Sequence, residues 1–169
     1  MRWRTNNRFA APMVVRMPIG FFKCGDPWHS QTNEVQFVHS PGWKVAVPSN
    51  AEDAVGLLRG ALRGNDPVIF FEHRAMLDAT SARRPYPGDD FVLPFGKARI
   101  VQEGGDLTIV TWGAMVERCE QAAEGASVEI IDLRTLMPWD REAVLASVKR
   151  TRRCLIVHED LMSAGFGAE

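Results

Sequence analysis

The fold is decided by the stretch KVAVPSNAEDAVGLLRGALRGNDPVIFF, residues 44–71. It opens with a short apolar run at 44–47 and closes with a continuous apolar run at 68–71, and both runs predict strands. A continuous apolar strand is typical of a sheet covered on both faces. Between the strands, apolar residues recur at helical spacing, namely Ala54, Leu57, Leu58, Ala61 and Leu62. Strand–helix–strand order favours a parallel sheet with a right-handed crossover.

Local signals give the limits of this helix. Ser49-Asn50-Ala51-Glu52 has the form of a capping box, in which Ser49 satisfies backbone N–H groups at the helix start. The turn formers Gly64-Asn65-Asp66-Pro67 end the helix.

A second α/β series lies further along the chain. Residues 12–17, which precede residues 44–71, predict a short buried strand of the first series. Residues 78–90, which are polar and contain prolines, predict a linker between two domains. After the linker the pattern predicts an edge strand at 98–101, a central strand at 107–111, a helix at 114–123, a strand at 128–131, a helix at 141–149 capped by Asp140 and a strand at 154–157. The fold class is therefore α/β, with mainly parallel sheets and flanking helices.

The composition argues against a nucleic-acid-binding, membrane-spanning or disulfide-bonded protein. Of 169 residues 46% are hydrophobic, which suffices for a packed core, and the net charge of −1 gives no case for nucleic acid or an anionic membrane surface. No apolar run approaches the ~20 residues of a membrane span. Three distant cysteines, Cys24, Cys119 and Cys154, argue against a disulfide framework and predict a cytoplasmic protein.

The candidate functional residues are histidines and carboxylates in loops. His29 stands in Gly25-Asp26-Pro27-Trp28-His29-Ser30-Gln31, a loop shaped by glycine and proline, and imidazole titrates near neutrality. Glu72-His73 and His158-Glu159 each end a predicted strand, where ligands bind in open α/β sheets, although either pair could be an ordinary polar residue. Cys24 and His29 lack a second ligand pair, so zinc is not predicted.

The chain end leaves two interpretations open. A glycine-rich stretch after a strand usually opens the next helix of a doubly wound fold, and only Ala168-Glu169 follow Gly165-Phe166-Gly167. The last strand would then have an uncovered apolar face. We therefore expect either a fragment of a longer protein or a non-catalytic module that dimerises or docks through that face.

Several motifs in collinear order carry a family resemblance: His29-Ser30-Gln31, Pro41-Gly42-Trp43-Lys44-Val45, Asn65-Asp66-Pro67 with 68–72, Leu93-Pro94-Phe95-Gly96-Lys97-Ala98, residues 107–113, residues 131–136 and residues 165–169. Together they resemble the beta subunit of the thiamine-diphosphate-dependent component of 2-oxo acid dehydrogenase complexes, in the transketolase superfamily. The resemblance implies part of a pyrimidine-binding domain at 1–77, a linker at 78–90 and part of a transketolase C-terminal domain at 91–169.

The resemblance also implies an activity. It is the oxidative decarboxylation of a 2-oxo acid with acyl transfer to a lipoyl arm, or cleavage of acetoin; a deoxyxylulose-phosphate synthase is a more distant alternative. The cofactor would be thiamine diphosphate with magnesium. The implied partners are an alpha subunit, another beta subunit and a lipoyl acyltransferase core, with no nucleic acid and no membrane.

Site residues follow from the same resemblance. His29 inherits the role of the active-site channel histidine, for which proton transfer and hydrogen bonding to an oxyanion suit imidazole. A potassium ion would be held by carbonyls of Ala61, Leu62, Gly64 and Asp66, although Gly64 replaces a usual aspartate. No cofactor-binding residue is predicted, because the family's activating glutamate lies upstream of Met1 and its diphosphate motif belongs to the alpha subunit. The isolated chain is therefore expected to be inactive.

Overall fold

A computed structural model gives the architecture, and it describes residues 3–22 and 26–169. Eight strands and four helices are assigned within those ranges, in the order β1 (Val14–Ile19), α1 (Val35–Val38), β2 (Lys44–Ala46), α2 (Ala51–Leu62), β3 (Val68–His73), β4 (Arg99–Gln102), β5 (Leu107–Thr111), α3 (Met115–Ala122), β6 (Val128–Asp132), β7 (Thr135–Met137), α4 (Arg141–Thr151) and β8 (Cys154–Val157). Short 3-10 turns occupy Trp3–Thr5, Pro27–His29, Arg74–Met76, Thr80–Ala82 and Phe166–Ala168.

The elements form two four-stranded sheets, ordered β1-β3-β2-β7 and β4-β6-β5-β8. In the first sheet β1 and β2 both pair in parallel with β3, which confirms the parallel sheet predicted from residues 44–71. In the second sheet β5 pairs in parallel with β6 and β8, and β4 is an antiparallel edge strand. The predicted α/β class is confirmed.

Strand β7 joins the two halves of the chain, and the sequence did not predict it. It lies in the second half of the sequence but pairs antiparallel with β2 of the first sheet. Three residues are too few to produce a readable alternation. The main apolar core is consequently shared, with Val45 and Phe71 packed in one cluster with Ile131 and Leu136.

Three local predictions were wrong. The helix α2 is capped by Asn50, whose side chain accepts a hydrogen bond from the N–H of Asp53, while the Ser49 hydroxyl donates to Asp132 instead. The first strand runs over Val14–Ile19 rather than 12–17 and is only partly buried, because it lies at the edge of its sheet. Leu62, predicted to belong to the apolar helix stripe, is 67% exposed and is the last residue of the helix.

The end of the chain leaves apolar residues at the surface. Strand β8 is the outer strand of its sheet, and Leu155 and Ile156 are both more than two-fifths exposed. Gly165 precedes the 3-10 turn at Phe166–Ala168, and the Phe166 ring packs against the rings of Trp112 and Trp139. None of the helices described at 3–22 and 26–169 combines the length and hydropathy needed to cross a membrane.

Candidate functional site

The carboxyl ends of the parallel strands in the two sheets meet, and the polar candidates lie there. His73 ends β3, Ser49 follows β2, and Trp112 and His158 follow β5 and β8. Parallel strands present their carboxyl ends at one edge of a sheet, and ligand crevices form at such edges. Contacts between residues of the first and second halves of the chain run across this edge, among them that of His73 with Glu159.

His29 lies on a solvent-exposed loop at this edge. We call residues 20–22 and 26–31 the His29 loop; residues 23–25 between them, which include Cys24, considered above as a zinc ligand, lie outside the described residues. The N–H of Gly20 donates to the carbonyl of Gln31 at 3.1 Å and closes the base of the loop. The guanidinium Nη1 of Arg74 donates to the His29 carbonyl at 3.2 Å, so the imidazole itself is left facing solvent.

His73 and Glu159, which the sequence left ambiguous, are in direct contact. The His73 Nε2 atom lies 2.9 Å from a carboxylate oxygen of Glu159, and the His73 side chain is only 3% exposed. Its Nδ1 atom has no hydrogen-bond partner among the described residues. Glu72 points to the opposite side of β3, where it pairs with Arg16 at 2.7 Å. His73, rather than Glu72, therefore faces the junction of the halves.

Glu34 is a functional candidate that sequence reasoning missed. Its carboxylate is fully buried, and Oε1 accepts a hydrogen bond from the Trp112 indole N–H at 2.9 Å. Burial raises the pKa of Glu34, the Trp112 bond opposes the rise, and the negative charges of Asp160 and Glu159 add to it. Glu34 precedes a helix of only four residues, so no periodic pattern marks it as buried.

An aromatic stack extends this group into the second half. The Trp112 ring lies on the His158 ring with centroids 5.3 Å apart and an interplanar angle of 10°. A Cβ at Gly167 would lie 2.5 Å from His158 Nε2, so glycine is needed for this close approach. Nδ1 of His158 and Oε2 of Glu34 are both buried without a partner in the described part of the chain.

A separate cluster of buried charges lies beside this edge; we call Ser49, Asp53, Arg99, Asp132 and Arg134 the polar junction. The Ser49 hydroxyl donates to Asp132 Oδ2 at 2.5 Å, and Arg99 Nη2 lies 3.2 Å from the same oxygen. Arg134 Nη2 lies 2.8 Å from Asp53 Oδ1. Complete burial raises the pKa of Asp132, opposed by the Ser49 hydrogen bond and the Arg99 charge. Each arginine of the polar junction therefore pairs with a buried carboxylate, although the Nε atoms of Arg99 and Arg134 have no hydrogen-bond partner among the described residues.

A mostly apolar cavity of about 280 Å³ opens beside His73 at the end of β3. Its wall includes Phe70, Ala54 and Met76, with Asn50 and Arg83 as polar members. Residues 76–83, which follow β3, cover one side. The cavity is therefore separate from the exposed imidazole of His29, which does not line it.

The predicted potassium ligands lie at the end of α2 and the turn after it. The carbonyl of Ala61 accepts a hydrogen bond from the N–H of Gly64 at 3.1 Å. The Asp66 carboxylate lies 3.0 Å from Lys44 Nζ, so its charge is directed to that lysine. Ala61 and Leu62 thus end α2 while Gly64 and Asp66 lie in the segment that follows, and the role of the four residues as ligands remains a prediction.

The described residues do not fit a thiamine diphosphate and magnesium site. A diphosphate is favoured at a helix N-terminus free of negative charge, but α2 begins with Glu52 and Asp53 and α4 with Glu142. Within residues 3–22 and 26–169 no three His, Cys, Asp or Glu side chains are arranged to hold a metal ion. The described residues therefore supply neither a diphosphate site at the start of α2 or α4 nor a metal-binding cluster.

Comparison with known proteins places both halves of the chain. Residues 1–79 match the family described as "Transketolase, pyrimidine binding domain", and residues 96–169 match "Transketolase, C-terminal domain". A solved structure described as "Split gene transketolase, inactive beta4 tetramer" has the same fold, with a TM-score of 0.72 over 92% of this chain and 50% of that chain at 23% identity.

Two curated relatives are more similar in sequence. The 2-oxoisovalerate dehydrogenase subunit beta of Bacillus subtilis is 41% identical over 100% of this chain and 53% of its own length. The pyruvate dehydrogenase E1 component subunit beta of Acholeplasma laidlawii is 42% identical over 100% of this chain and 53% of its own length. The chain thus spans about half the length of these relatives. It belongs to the family of beta subunits of 2-oxo acid dehydrogenase E1 components, built from transketolase pyrimidine-binding and C-terminal domains.

Proposed function

We propose that this chain contributes to the oxidative decarboxylation of a 2-oxo acid, with acyl transfer to a lipoyl group, as part of an E1 beta subunit. The observation that carries the proposal is the collinear match of both halves to dehydrogenase beta subunits at 41–42% identity. The geometry supports it, because the carboxyl edges of both sheets meet beside an exposed histidine loop. Such an edge is where α/β enzymes bind their ligands.

His29 is the proposed catalytic residue. Its imidazole is exposed while its backbone is held by Arg74, so the ring is free to meet a substrate on a positioned support. An imidazole can transfer a proton to a bound substrate or donate a hydrogen bond to an oxygen that becomes negative. His73 and His158 are less suited to this role because their rings pack inside the protein.

The proposed cofactor of the assembled enzyme is thiamine diphosphate with magnesium. The acidic helix starts of this chain favour binding of the diphosphate elsewhere, and the proposal assigns it to an alpha subunit. The other proposed partners are a second beta subunit and a lipoyl acyltransferase core. We also propose a cytoplasmic location for the protein.

A chimeric subunit tests the proposed activity. Residues 1–169 replace the matching segment of the Bacillus subtilis beta subunit, which is paired with its alpha subunit and assayed with 2-oxoisovalerate, pyruvate and acetoin. Turnover of a 2-oxo acid supports the proposal. A folded, assembled chimera that turns over acetoin alone would replace it with the acetoin-cleaving alternative.

The same chimera tests His29. Replacement His29→Ala is expected to lower kcat by about 10²–10⁴-fold, the usual contribution of a general acid or base. The matched control is His39→Ala, because His39 is also exposed but follows α1. Equal turnover of the His29→Ala and parent chimeras would contradict the catalytic assignment.

The 169-residue chain by itself should not bind the cofactor tightly. Calorimetry with thiamine diphosphate and magnesium is expected to show no binding of sub-micromolar affinity. Tight binding would show that the described residues form a cofactor site after all. Light scattering on the same sample tests the alternative of an interaction module, which predicts a stable, monodisperse dimer through the exposed β8 face.

We further propose potassium at the carbonyls of Ala61, Leu62, Gly64 and Asp66, and domain limits at 1–77, 78–90 and 91–169. Potassium binding should raise the unfolding temperature in KCl relative to choline chloride at equal ionic strength, since a ligand of the native state stabilises it.

The proposed domain limits are tested by limited trypsin digestion, which should cut first at the exposed Arg83 and Arg84 of the linker.

A further inference from the structure

We propose that Glu159, His73 and Arg74 position the His29 loop, so that the second half of the chain sets the geometry of a histidine on the first half. The importance of that geometry for turnover rests on the proposed function of His29. The positioning itself is a structural claim that stands on contacts within the chain. Glu159, His73 and Arg74 are positioning residues, because their effect passes through the loop.

The first step is the contact between the His73 ring and the base of the loop. Gly20 opens the loop with a φ of +80°, and a Cβ built on it would lie 2.0 Å from His73 Nε2. The ring therefore occupies the space in which a side chain would stand. Because the N–H of Gly20 also bonds to the carbonyl of Gln31, the ring supports the point where both ends of the loop meet.

The second step is the contact at the tip of the loop. Arg74 directly follows His73 in the chain, and its guanidinium bonds to the carbonyl of His29 at 3.2 Å. His29 is held in turn by its N–H, which donates to the Asp26 carbonyl at 3.2 Å. Two consecutive residues at the end of β3 thus hold the base and the tip of one loop.

The third step is the link to the second half. Glu159 follows β8, and its carboxylate lies 2.9 Å from His73 Nε2. Since His73 Nδ1 has no partner in the described part of the chain, Glu159 supplies the polar contact that orients the ring there. A rotated His73 ring would press on Gly20, so a change at Glu159 is transmitted to the loop through contact.

The arrangement could instead serve stability alone, and the test must separate the two. The readout is the imidazole nitrogen spectrum of the full 169-residue chain labelled with ¹⁵N-histidine, with the His29 signals assigned through His29→Gln. Glu159→Gln and Arg74→Gln are each expected to shift the His29 signals. The matched control Glu72→Gln, one residue from His73 but paired with Arg16 on the other side of β3, should leave them in place.

Two outcomes would overturn the positioning claim. One is an unmoved His29 spectrum in a folded Glu159→Gln chain, and the other is an equal shift in the Glu72→Gln control. If Glu159→Gln does not fold, Glu159→Asp serves instead, since it keeps the charge but retracts the carboxylate by one methylene. An unmoved spectrum in that folded variant overturns the claim equally.

The chimeric enzyme with the Bacillus subtilis subunit tests the consequence for turnover. A misplaced catalytic group costs up to about 10²-fold, so Glu159→Gln is expected to lower kcat by about 10-fold or more, with KM changed less. An unchanged kcat in a chimera where His29→Ala abolishes turnover would overturn the functional link. If His29→Ala itself has no effect, the proposed function fails while the spectra still decide the positioning.

Discussion

Two of the sets of polar contacts that join the halves of this chain differ in the number of groups that meet each carboxylate. The polar junction places Asp132 among Ser49, Arg99 and the backbone N–H of Arg134, all of which contact one carboxylate. At the His29 loop, by contrast, a single carboxylate, that of Glu159, meets a single ring, that of His73. The first arrangement is buried and multiply connected, and the second lies next to solvent.

The difference indicates that the two sets of contacts have separate roles. Buried charges are tolerated only when they are paired, so the junction fixes how the halves pack and tolerates little change. The single pair beside an exposed loop is easier to perturb, because Glu159 is partly solvated. Stability and loop geometry should therefore respond separately to substitution, and the following predictions test that separation.

The largest effect is expected at the junction. Asp132→Ala leaves Ser49 and Arg99 without their buried acceptor and should lower the free energy of unfolding by about 3 kcal/mol or more. The control is Glu72→Ala, which breaks the exposed pair with Arg16 and should lower the free energy of unfolding far less. Urea denaturation followed by circular dichroism measures both. Equal losses would remove the distinction between the two kinds of contact.

A smaller effect is expected at the base of the loop. Gly20→Ala should lower the free energy of unfolding by about 2–3 kcal/mol, because the new Cβ displaces the His73 ring and also strains a backbone with positive φ. Gly88→Ala is a matched control, since Gly88 has a φ of +94° but no atom lies within 4 Å of the position that its Cβ would take. It should cost only about 1–2 kcal/mol. If the two losses were the same, the His73 contact would carry no weight.

Ser49 and Asn50 are adjacent but serve different contacts. Asn50→Ala removes the cap of α2 and should cost about 1 kcal/mol. Ser49→Ala should cost about 1 kcal/mol through its bond to Asp132. The loss at Ser49 should shrink in an Asp132→Ala background, as a double-mutant cycle would show, while the bonds that the hydroxyl accepts from Arg99 and Asn50 remain. Persistence of the full loss there would contradict the assignment of the Ser49 contribution to Asp132.

The smallest effect concerns pH. Burial raises the pKa of Glu34 above its ordinary value of 4.5, so the folded state holds this proton to higher pH than the unfolded state. The contribution of Glu34 to stability is therefore fully present below pH 4.5 and falls as pH rises towards the raised pKa. Glu34→Gln keeps an acceptor for Trp112 and should flatten that fall. Identical pH profiles of unfolding for both proteins would contradict it.

The elements readable from sequence were those with a long periodic or apolar signal. Residues 44–71 showed both strands and the helix between them, and Asp140 was correctly predicted as the cap of α4. β7 was missed because its pairing with β2 depends on the meeting of distant segments. The cap of α2 was misplaced by one residue, because Ser49 found a partner in Asp132, which is distant in sequence.

The residues of the candidate site were also predictable only where a local pattern or motif marked them. His29 could be singled out from its loop and motif, and Glu72-His73 and His158-Glu159 were found as strand ends but not as partners. Glu34 carried no signal at all, since an acidic residue before a four-residue helix reads as solvated. Its place in the site depends on the hydrogen bond from Trp112, which lies 78 positions after it in the chain.

By itself the sequence determined the α/β class, the parallel strand–helix–strand unit and the family, because these depend on local periodicity and on motifs in fixed order. Tertiary structure alone decided that β7 crosses into the first sheet, that Asp132 is paired in a buried junction and that His73 meets Glu159. Those contacts join residues far apart in the chain. Their free energy comes from burial and charge pairing, which exist only once the two halves have packed together.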